Sequence, residues 1–368
     1  MEFDEGTVTK SIADIANNAE AWRRYNEENA LSLLNLGADE QLKDGLAFID
    51  EADNARALWG KGDEILWGEQ QPLLLFGPQG VGKTTDIQQL ILARAGLRDP
   101  ELHGYPVEPD DRPIFYLALD RPMQIAASMQ RMVDDLGPRD RRKLKRKLRF
   151  WKGHLHFKMD QAPDAFAKWV ALHGRDPGIL CIDSVKDACS GLLSDEHGMG
   201  FNDAVQRIIA SGTEVVSNHH PRKGGKGDDA KPARLSDVYG STWITAGHGS
   251  VLLLWAEPGA KTVEVSQLKP IREPMRPVFI SREHGTGVSA TFDPKDLIVD
   301  LAVDRGEDGF TIGDAVFAVH GQTDNFPAAS GRLRHHLKTL VMQGVLRYEK
   351  GKGGGSGGGA IPARWWLT

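Results

Sequence analysis

Residues 73–85, LLLFGPQGVGKTT, decide the fold of this chain of 368 residues. The four apolar residues Leu73–Phe76 are typical of a buried strand, and the motif G-x-x-x-x-G-K-T begins at Gly77. An amphipathic helix is predicted directly after it, over residues 86–95. A strand, a glycine-rich turn and a helix in this order indicate a phosphate-binding loop; the alternative is a glycine-rich turn that only caps a helix.

The residue types of this loop suit the binding of a nucleoside triphosphate. Glycines let the backbone curl so that its N–H groups face phosphate oxygens, and the helix N-terminus adds a favourable dipole. Lys83 would place a positive charge on the β- and γ-phosphates, and the Thr84 hydroxyl is a hard oxygen ligand suited to Mg²⁺. The predicted ATP-binding residues are Gly77, Gln79, Gly80, Val81, Gly82, Lys83, Thr84 and Thr85.

Two acidic residues follow further predicted strands. Asp183 ends the apolar run 179–182 and is the predicted Mg²⁺ partner of Thr84; a cap of the next turn is the alternative. Asp120 follows the run 114–119 and is the predicted general base or water-orienting group, provided that its strand neighbours the strand of the phosphate-binding loop. The alternative for Asp120 is an N-cap of the helix that starts near Pro122.

A histidine pair and a basic pair complete the candidate site. His220, after the predicted strand 214–217, would sense the γ-phosphate, with His219 as the other choice. A structural hydrogen-bonding role or metal binding is the alternative for this pair. Lys269 and Arg272 follow the predicted strand 262–267 and, taken by themselves, indicate no more than a surface basic pair.

Composition and charge exclude several classes of protein. Hydrophobic residues make up 40% and charged residues 26% of the chain, which excludes wholesale disorder. No apolar run reaches the roughly 18 residues of a membrane span, and no secretory signal is predicted. Two cysteines, Cys181 and Cys189, exclude a disulfide framework and fit a cytoplasmic location.

The net charge of −6 argues against a protein that simply coats nucleic acid, but the charge is unevenly spread. Acidic residues predominate at the start of the chain and basic residues after Asn325. The sequence predicts three parts: an acidic helical region (1–66) with a helix over 19–36, an α/β core (67–292) with a mostly parallel sheet, and a small C-terminal unit (295–368). The strand candidates are residues 73–76, 114–119, 179–182, 214–217, 250–255 and 262–267.

The C-terminal unit is predicted to be a winged helix. Residues 311–320 and 327–343 form its helices, and residues 345–348 and 363–367 pair as a hairpin around the glycine-rich stretch 351–359. Such units place their second helix in the DNA major groove, although many bind proteins instead. The outward residues of that helix would be Arg332, Arg334, His335 and Lys338.

Two further basic segments are candidates for nucleic-acid contact. The glycine-rich segment 222–234 carries five cations and could track phosphates without reading sequence. Residues 139–149, RDRRKLKRKLR, are predicted to form one helix with Leu144 and Leu148 on its apolar edge. For both segments the alternative is a solvated surface without a ligand.

The order of these motifs resembles the RecA-type P-loop ATPases, and within them the RepA and DnaB group of hexameric replicative helicases, of the AAA_25 kind. The segment 116–122 resembles the one that carries that group's catalytic glutamate, residues 182–184 its second nucleotide motif, and 218–223 its His-His segment. Two departures stand out: Asp120 is one methylene shorter than the usual Glu, and Tyr239 stands where relatives commonly carry Arg. Lys269 and Arg272 are similar in placement to the group's trans-acting finger.

The resemblance implies a ring-forming DNA helicase that hydrolyses ATP with Mg²⁺ at subunit interfaces, as a homo-oligomer and most simply a hexamer. Single-stranded DNA would pass through the ring channel, and duplex DNA would contact the winged helix. A nucleotide-switched DNA-binding regulator or recombination mediator with slow ATPase activity is the alternative. A small-molecule kinase is disfavoured because the sequence has no evident lid.

Overall fold

The computed structural model describes residues 43–53, 56–222, 231–256, 262–283, 285–321, 326–353 and 361–368. The chain divides into two compact units, Met1–Ala55 and Arg56–Thr368. The described part of the first unit contains helix α1 (Gly45–Asp53), where the Asp44 carboxylate accepts the amides of Leu46 and Ala47. The helix predicted over residues 19–36 lies outside the described residues.

The second unit alternates strands and helices, as the sequence predicts for an α/β protein. Its strands are β1 (Ala57–Lys61), β2 (Glu64–Gly68), β3 (Leu73–Phe76), β4 (Glu101–Leu102), β5 (Tyr105–Pro106), β6 (Ile114–Ala118), β7 (Leu148–Lys152), β8 (Ile179–Asp183), β9 (Glu214–His219), β10 (Ser250–Trp255), β11 (Thr262–Lys269), β12 (Val278–Arg282), β13 (Ser289–Phe292), β14 (Leu346–Glu349) and β15 (Arg364–Leu367). Its helices are α2 (Lys83–Arg94), α3 (Pro122–Val133), α4 (Pro138–Lys147), α5 (Pro163–Gly174), α6 (Val185–Ala188), α7 (Asp195–Ala210), α8 (Thr242–Ala246), α9 (Pro294–Arg305), α10 (Ile312–His320) and α11 (Phe326–Met342).

A nine-stranded sheet forms the centre of this unit, in the order β13-β12-β11-β10-β3-β9-β8-β6-β7. The six strands from β10 to β7 run parallel, whereas β11, β12 and β13 add to the β10 side by antiparallel pairing. Strand β3 therefore lies inside the sheet with a parallel neighbour on each side. The predicted fold class, an α/β core with a mostly parallel sheet, is confirmed.

Both faces of the sheet are covered, which explains why its parallel strands are continuously apolar. Side chains alternate along β3, so Leu73 and Leu75 pack into the core with helix α2, while Leu74 and Phe76 pack into the opposite core with helix α7. All four side chains are buried. The strand that leads into the glycine-rich loop is thus fixed from both sides.

The six predicted strands are present, but the structure adds strands that the sequence analysis missed. Residues 57–68, assigned above to an acidic helical region, form the antiparallel hairpin of β1 and β2. Their tryptophans Trp59 and Trp67 are buried and pack into the core with α2, so tertiary packing favours the hairpin. Strands β12 and β13 were also missed; both are short, and most of their residues are only partly buried or exposed.

The basic segment 139–149 is only partly helical. Helix α4 ends at Lys147, and Leu148 begins edge strand β7, which pairs in parallel with β6. The prediction that Leu148 lies on a helix was wrong, because sheet pairing overrides its i,i+4 spacing from Leu144. Lys147 donates to the Asp111 carboxylate and Lys143 donates to the Gly96 carbonyl (2.8 and 2.9 Å), so two of these cations bind their own chain.

Residues after Phe292 form a small helical unit with its own apolar core. Helices α9, α10 and α11 pack with the antiparallel hairpin of β14 and β15 around Phe310, Leu333, Leu337 and Trp365. Phe310 also exchanges two backbone hydrogen bonds with Trp365 (2.9 and 3.0 Å), which adds a third extended segment beside β15. The two helices and the hairpin predicted here are present. None of the described helices is long and apolar enough to cross a membrane.

Candidate nucleotide-binding site

The candidate site lies at one edge of the central sheet. Because β3, β9, β8 and β6 run parallel, their carboxyl ends reach the same edge, where ligands bind in sheets of this kind. These four ends carry, in that spatial order, the glycine-rich loop, the histidine pair, Asp183 and Asp120. Residues that are far apart in sequence are thereby brought together.

The loop 77–82 joins β3 to helix α2, and Lys83 is the first residue of the helix. The buried Lys83 ammonium donates to the carbonyls of Gly77 and Pro78 at 2.7 and 2.8 Å, so it lies against the loop that it would serve. Burial lowers the pKa of Lys83 from 10.5 to about 8, although Asp183 opposes the shift. An anion bound beside Lys83 would stabilise its ammonium form and raise this pKa again.

Two of the loop glycines are required by their surroundings. A Cβ atom on Gly77 would overlap the carbonyl oxygen of Leu254 on β10, which pairs with β3. Gly82 has φ 93° and caps α2 in the left-handed region, where other residues are strained. The loop therefore packs directly on its neighbours, and two of its positions accept only a residue without a large side chain or with a left-handed backbone.

Asp183 is the most highly connected residue of the site. Its Oδ2 accepts from the hydroxyls of Thr84 (2.8 Å) and Tyr116 (2.6 Å), and its Oδ1 accepts from Asn218 Nδ2 (2.6 Å). Burial raises the pKa of Asp183, while these three hydrogen bonds oppose the rise. The contact with Thr84 brings together the two predicted Mg²⁺ ligands, and the N-cap residue of the next helix, α6, is Ser184 and not Asp183.

The oxygens of Thr84 and Asp183 fit a magnesium ion. Both are hard ligands, and Mg²⁺ commonly takes one or two protein oxygens and completes its shell with phosphates and water. Within the part of the chain that the structure describes, no group of three or more His, Cys, Asp or Glu could hold a metal alone. Asn218 Oδ1 is buried beside this pair and has no partner among the described residues, which leaves an acceptor for a bound water.

Asp120 lies at the same sheet edge but farther from the loop than the sequence analysis assumed. Strands β9 and β8 lie between β3 and β6, so the condition that the two strands are neighbours is not met. At about 4.8 Å per strand, β6 is roughly 14 Å from β3. The side chain of Asp120 pairs with Arg121 (3.3 Å), and Arg121, not Asp120, is the N-cap residue of α3. The N-cap alternative for Asp120 is therefore wrong.

The two histidines have different surroundings. His219 is buried and its Nε2 lies 2.7 Å from the Tyr239 carbonyl oxygen, so it has a structural partner. His220 is half-buried at the strand end, where burial and the nearby Lys83 lower its pKa to about 4 while Asp120 opposes the shift. His220 is thus neutral near pH 7, and it interacts electrostatically with Lys83 and Asp120.

Lys269 and Arg272 lie away from the loop of their own chain. Lys269 pairs with Val251 at the start of β10, whereas the loop follows the end of β3, so the two lie at opposite edges of the sheet. Its ammonium donates to the carbonyls of Thr245, Ala246 and His248 at the end of α8 (3.1, 3.0 and 2.6 Å). Arg272 contacts Asp63 at 3.3 Å.

The basic segment after His220 is described only at its ends, since residues 223–230 lie outside the described residues. Lys231 donates to Glu264 at 2.5 Å, and the Asp237 carboxylate accepts the amides of Ala233 and Arg234 (2.8 and 2.9 Å). Lys231 is therefore an ion-pair partner on its own chain.

Three residues of the site were not assigned from the sequence: Tyr116 and Asn218, which hold Asp183, and Arg282, which contacts the loop from β12. Tyr116 lies inside an apolar strand and Asn218 is the penultimate residue of another, so their positions on flanking strands were the available signal. Arg282 is 200 residues beyond Gly82 and had no such signal.

The lowered pKa of Lys83 predicts a pH dependence of nucleotide binding. Above about 8 the ammonium of the free protein loses its proton, so ATP affinity is expected to fall as the pH rises through this value. The nearby histidines His219 and His220 have pKa values of about 4 and stay neutral throughout. Calorimetric titration with ATP at constant ionic strength measures this dependence; an affinity that is constant or rises across the same interval would contradict it.

Comparisons with known proteins give the chain its family. In a search of curated proteins, no match is found. Among solved structures, the chain is similar to one described as an ATPase domain, with 12% identity, a TM-score of 0.46, and coverage of 70% of this chain and 99% of that chain. The AAA_25 family model, described as an AAA domain, matches residues 18–226 and so includes the loop, Asp120, Asp183 and the histidine pair. The chain therefore belongs to the AAA_25 family, and its P-loop core is an AAA-type ATPase domain.

Proposed function

We propose that the protein is an ATP-dependent DNA motor, a ring-forming replicative helicase of the RepA and DnaB type. The observation that carries the proposal is that Lys83, the Thr84–Asp183 pair, Asp120 and His220 all lie at the carboxyl ends of neighbouring parallel strands, on one edge of the sheet. A site that only bound nucleotide would need the loop and its metal ligands. The additional acid and the neutral histidine beside it are what hydrolysis and γ-phosphate sensing require.

Each residue has a distinct role in this proposal. The loop amides and Lys83 bind the phosphates, and Thr84 and Asp183 hold Mg²⁺, which neutralises phosphate charge. Asp120 orients the attacking water and accepts its proton, and His220 hydrogen-bonds the γ-phosphate and transmits its loss to the segment that follows. Asp120 is one methylene shorter than Glu, and it follows β6, which is separated from β3 by β9 and β8. Asp120 would therefore act through a bridging water.

Hydrolysis in this proposal is completed by a second copy of the chain. Lys269 lies at the sheet edge opposite to its own loop, so we propose that it reaches the nucleotide of a neighbouring subunit, with Arg272 as its companion cation. This supports a closed homo-oligomer with sites at the interfaces, for which a hexamer is our proposal. The two buried, unpaired cysteines fit the cytoplasm as its location.

DNA contact is proposed at two places. The basic segment 222–234 is separated from His220 only by Pro221 and would face single-stranded DNA in the ring channel, so that the nucleotide state alters DNA contact. The C-terminal unit is proposed to be a winged helix, since α9, the extended Phe310, α10, α11 and the β14–β15 hairpin follow the order of that fold. Its helix α11 exposes Arg334, His335 and Lys338 on the face away from the buried leucines.

A paired substitution tests the winged-helix assignment. We expect the double variant Arg334→Ala, Lys338→Ala to bind duplex DNA several-fold more weakly. The slope of log K against log salt concentration should become less steep by about two, since two phosphate contacts are removed. Fluorescence anisotropy over a salt series measures both. The matched control is Arg139→Ala, Arg142→Ala, which removes two exposed charges from α4. If the control variant loses affinity and the α11 variant does not, duplex DNA lies on α4.

A nucleotide-switched DNA-binding regulator or recombination mediator with slow ATPase activity is the second candidate. The observation that favours it is the short Asp120 side chain, which already pairs with Arg121. Such a protein would bind duplex DNA tightly when ATP is bound and would not separate strands. Strand separation on a forked duplex distinguishes the two.

A further inference from the structure

An arginine that is far from the phosphate-binding loop in sequence donates hydrogen bonds to the backbone carbonyls of that loop. Arg282 ends β12, and its guanidinium donates to the carbonyl of Val81, to the carbonyl of Gly82 (3.3 Å) and to the carboxylate of Asp86 (2.7 Å). Its side chain is only 15% exposed. None of the roles proposed above uses this residue.

The geometry of the peptide bond gives this contact a consequence. A trans peptide is planar, so its C=O and its N–H point in opposite directions. Holding the Val81 carbonyl towards Arg282 therefore turns the N–H of Gly82 to the opposite side of the loop, and holding the Gly82 carbonyl does the same for the N–H of Lys83. The Gly82 carbonyl also accepts the Asp86 amide in the first helical turn (3.0 Å), whereas Val81 precedes the helix and takes its donor from Arg282.

Arg282 is itself held in place. Asp86 is buried beside it, and the other carboxylate oxygen of Asp86 lies 3.1 Å from His103 Nε2. Burial raises the pKa of Asp86, but the opposing effects of Arg282 and His103 are larger, so the pKa lies below its usual value. Asp86 therefore stays ionised and is a fixed counter-charge for Arg282. One turn along α2, Gln89 and Ser289 on β13 exchange two hydrogen bonds (2.9 and 2.8 Å). The β12–β13 hairpin is thus fastened to α2 at two points.

The approach of Arg282 also constrains the loop sequence. A Cβ atom on Gly82 would overlap the Arg282 guanidinium. The left-handed φ of 93° is what favours glycine at position 82, and a side chain there would also displace the guanidinium from the loop backbone.

We propose that Arg282 is a positioning residue of the nucleotide site: it holds the Val81 and Gly82 carbonyls so that the amides of Gly82 and Lys83 face the phosphates. It acts through the backbone and needs no contact with the nucleotide. The inference rests on nucleotide binding by the loop, and it is independent of DNA binding and ring formation. Its effect belongs to the preorganisation of donors before the nucleotide arrives.

The test compares Arg282→Gln and Arg282→Lys with Arg142→Ala, which removes an exposed arginine of α4. ADP and ATP affinity, KM and kcat for ATP, and the Tm of the nucleotide-free protein are measured for each full-length variant. Arg282→Gln is expected to weaken ADP and ATP binding about tenfold and to raise KM more than it lowers kcat. Arg282→Lys keeps the charge but cannot reach both carbonyls and Asp86 together, so its affinity is expected between those of Arg282→Gln and the wild type. Arg142→Ala should match the wild type.

The outcomes separate a positioning role from a structural one. A lower Tm for Arg282→Gln with wild-type nucleotide affinity overturns the proposal, because the arginine then only stabilises the fold. If Arg282→Gln does not fold, Arg282→Lys decides: wild-type affinity overturns the proposal and weakened affinity supports it. Lys83→Ala is measured alongside; if it binds ATP as well as the wild type, the nucleotide site itself is misassigned and the role of Arg282 is overturned with it.

Discussion

The variant Lys83→Ala is expected to lose ATP turnover, with kcat/KM reduced at least about a hundredfold. Lys83 is buried at the start of α2, within 2.7 and 2.8 Å of the loop carbonyls of Gly77 and Pro78. Truncation of the side chain at Cβ removes the ammonium, so the phosphates lose a nearby cation in a site where charge is poorly screened by water. Steady-state ATP hydrolysis by the purified full-length chain measures the effect.

The fold is expected to survive this substitution. Burial already lowers the pKa of Lys83 to about 8, which means that keeping this group charged costs the folded protein free energy. The Tm of Lys83→Ala without nucleotide should therefore be close to that of the wild type, while the rise in Tm on adding ATP disappears. Lys145→Ala, on the exposed face of α4, is the matched loss of one lysine. Unchanged turnover by Lys83→Ala would mean that ATP is hydrolysed elsewhere.

The variant Asp120→Asn is expected to bind ATP within about twofold of the wild type and to lower kcat by about a hundredfold or more. An amide has nearly the size of the carboxylate but cannot accept a proton from water. Because Asp120 is half-buried and is separated from the loop by strands β9 and β8, its loss should leave the phosphate contacts intact. Calorimetric ATP titration and single-turnover hydrolysis separate binding from chemistry.

Two further variants make this experiment specific. Asp120→Glu restores the methylene that the catalytic acid of the resembling helicases has, so it should hydrolyse ATP at least as fast as the wild type. Arg121→Ala removes the partner of Asp120 at 3.3 Å and tests whether this ion pair slows hydrolysis. Normal turnover by Asp120→Asn would place the base at another residue.

Sequence patterns predicted those parts of the site in which residues that are close in sequence are also close in space. The strand, loop and first helical turn around Lys83 are continuous in sequence, and the apolar runs before Asp120 and Asp183 identify two more strands. Their arrival at one edge follows from the rule that parallel strands end together. These predictions needed no knowledge of side-chain contacts.

The parts that were missed depend on contacts between distant residues. Sheet order alone decides that Tyr116 and Asn218 flank Asp183, and that β6 lies three strands from β3. The hairpin at 57–68 is stabilised by the burial of Trp59 and Trp67 in a core that the local pattern does not reveal. Arg282 contacts the loop because two antiparallel strands, β11 and β12, extend the sheet beyond β10.

The most direct test of the central proposal is strand separation on a forked DNA duplex with ATP and Mg²⁺, with Lys83→Ala as the inactive control. The wild type is expected to release the labelled strand and to hydrolyse ATP faster when single-stranded DNA is added. Lys83→Ala is expected to do neither. Tight binding of the fork by the wild type with ATP, without release of the strand and without stimulated hydrolysis, would contradict the motor and favour the nucleotide-switched regulator.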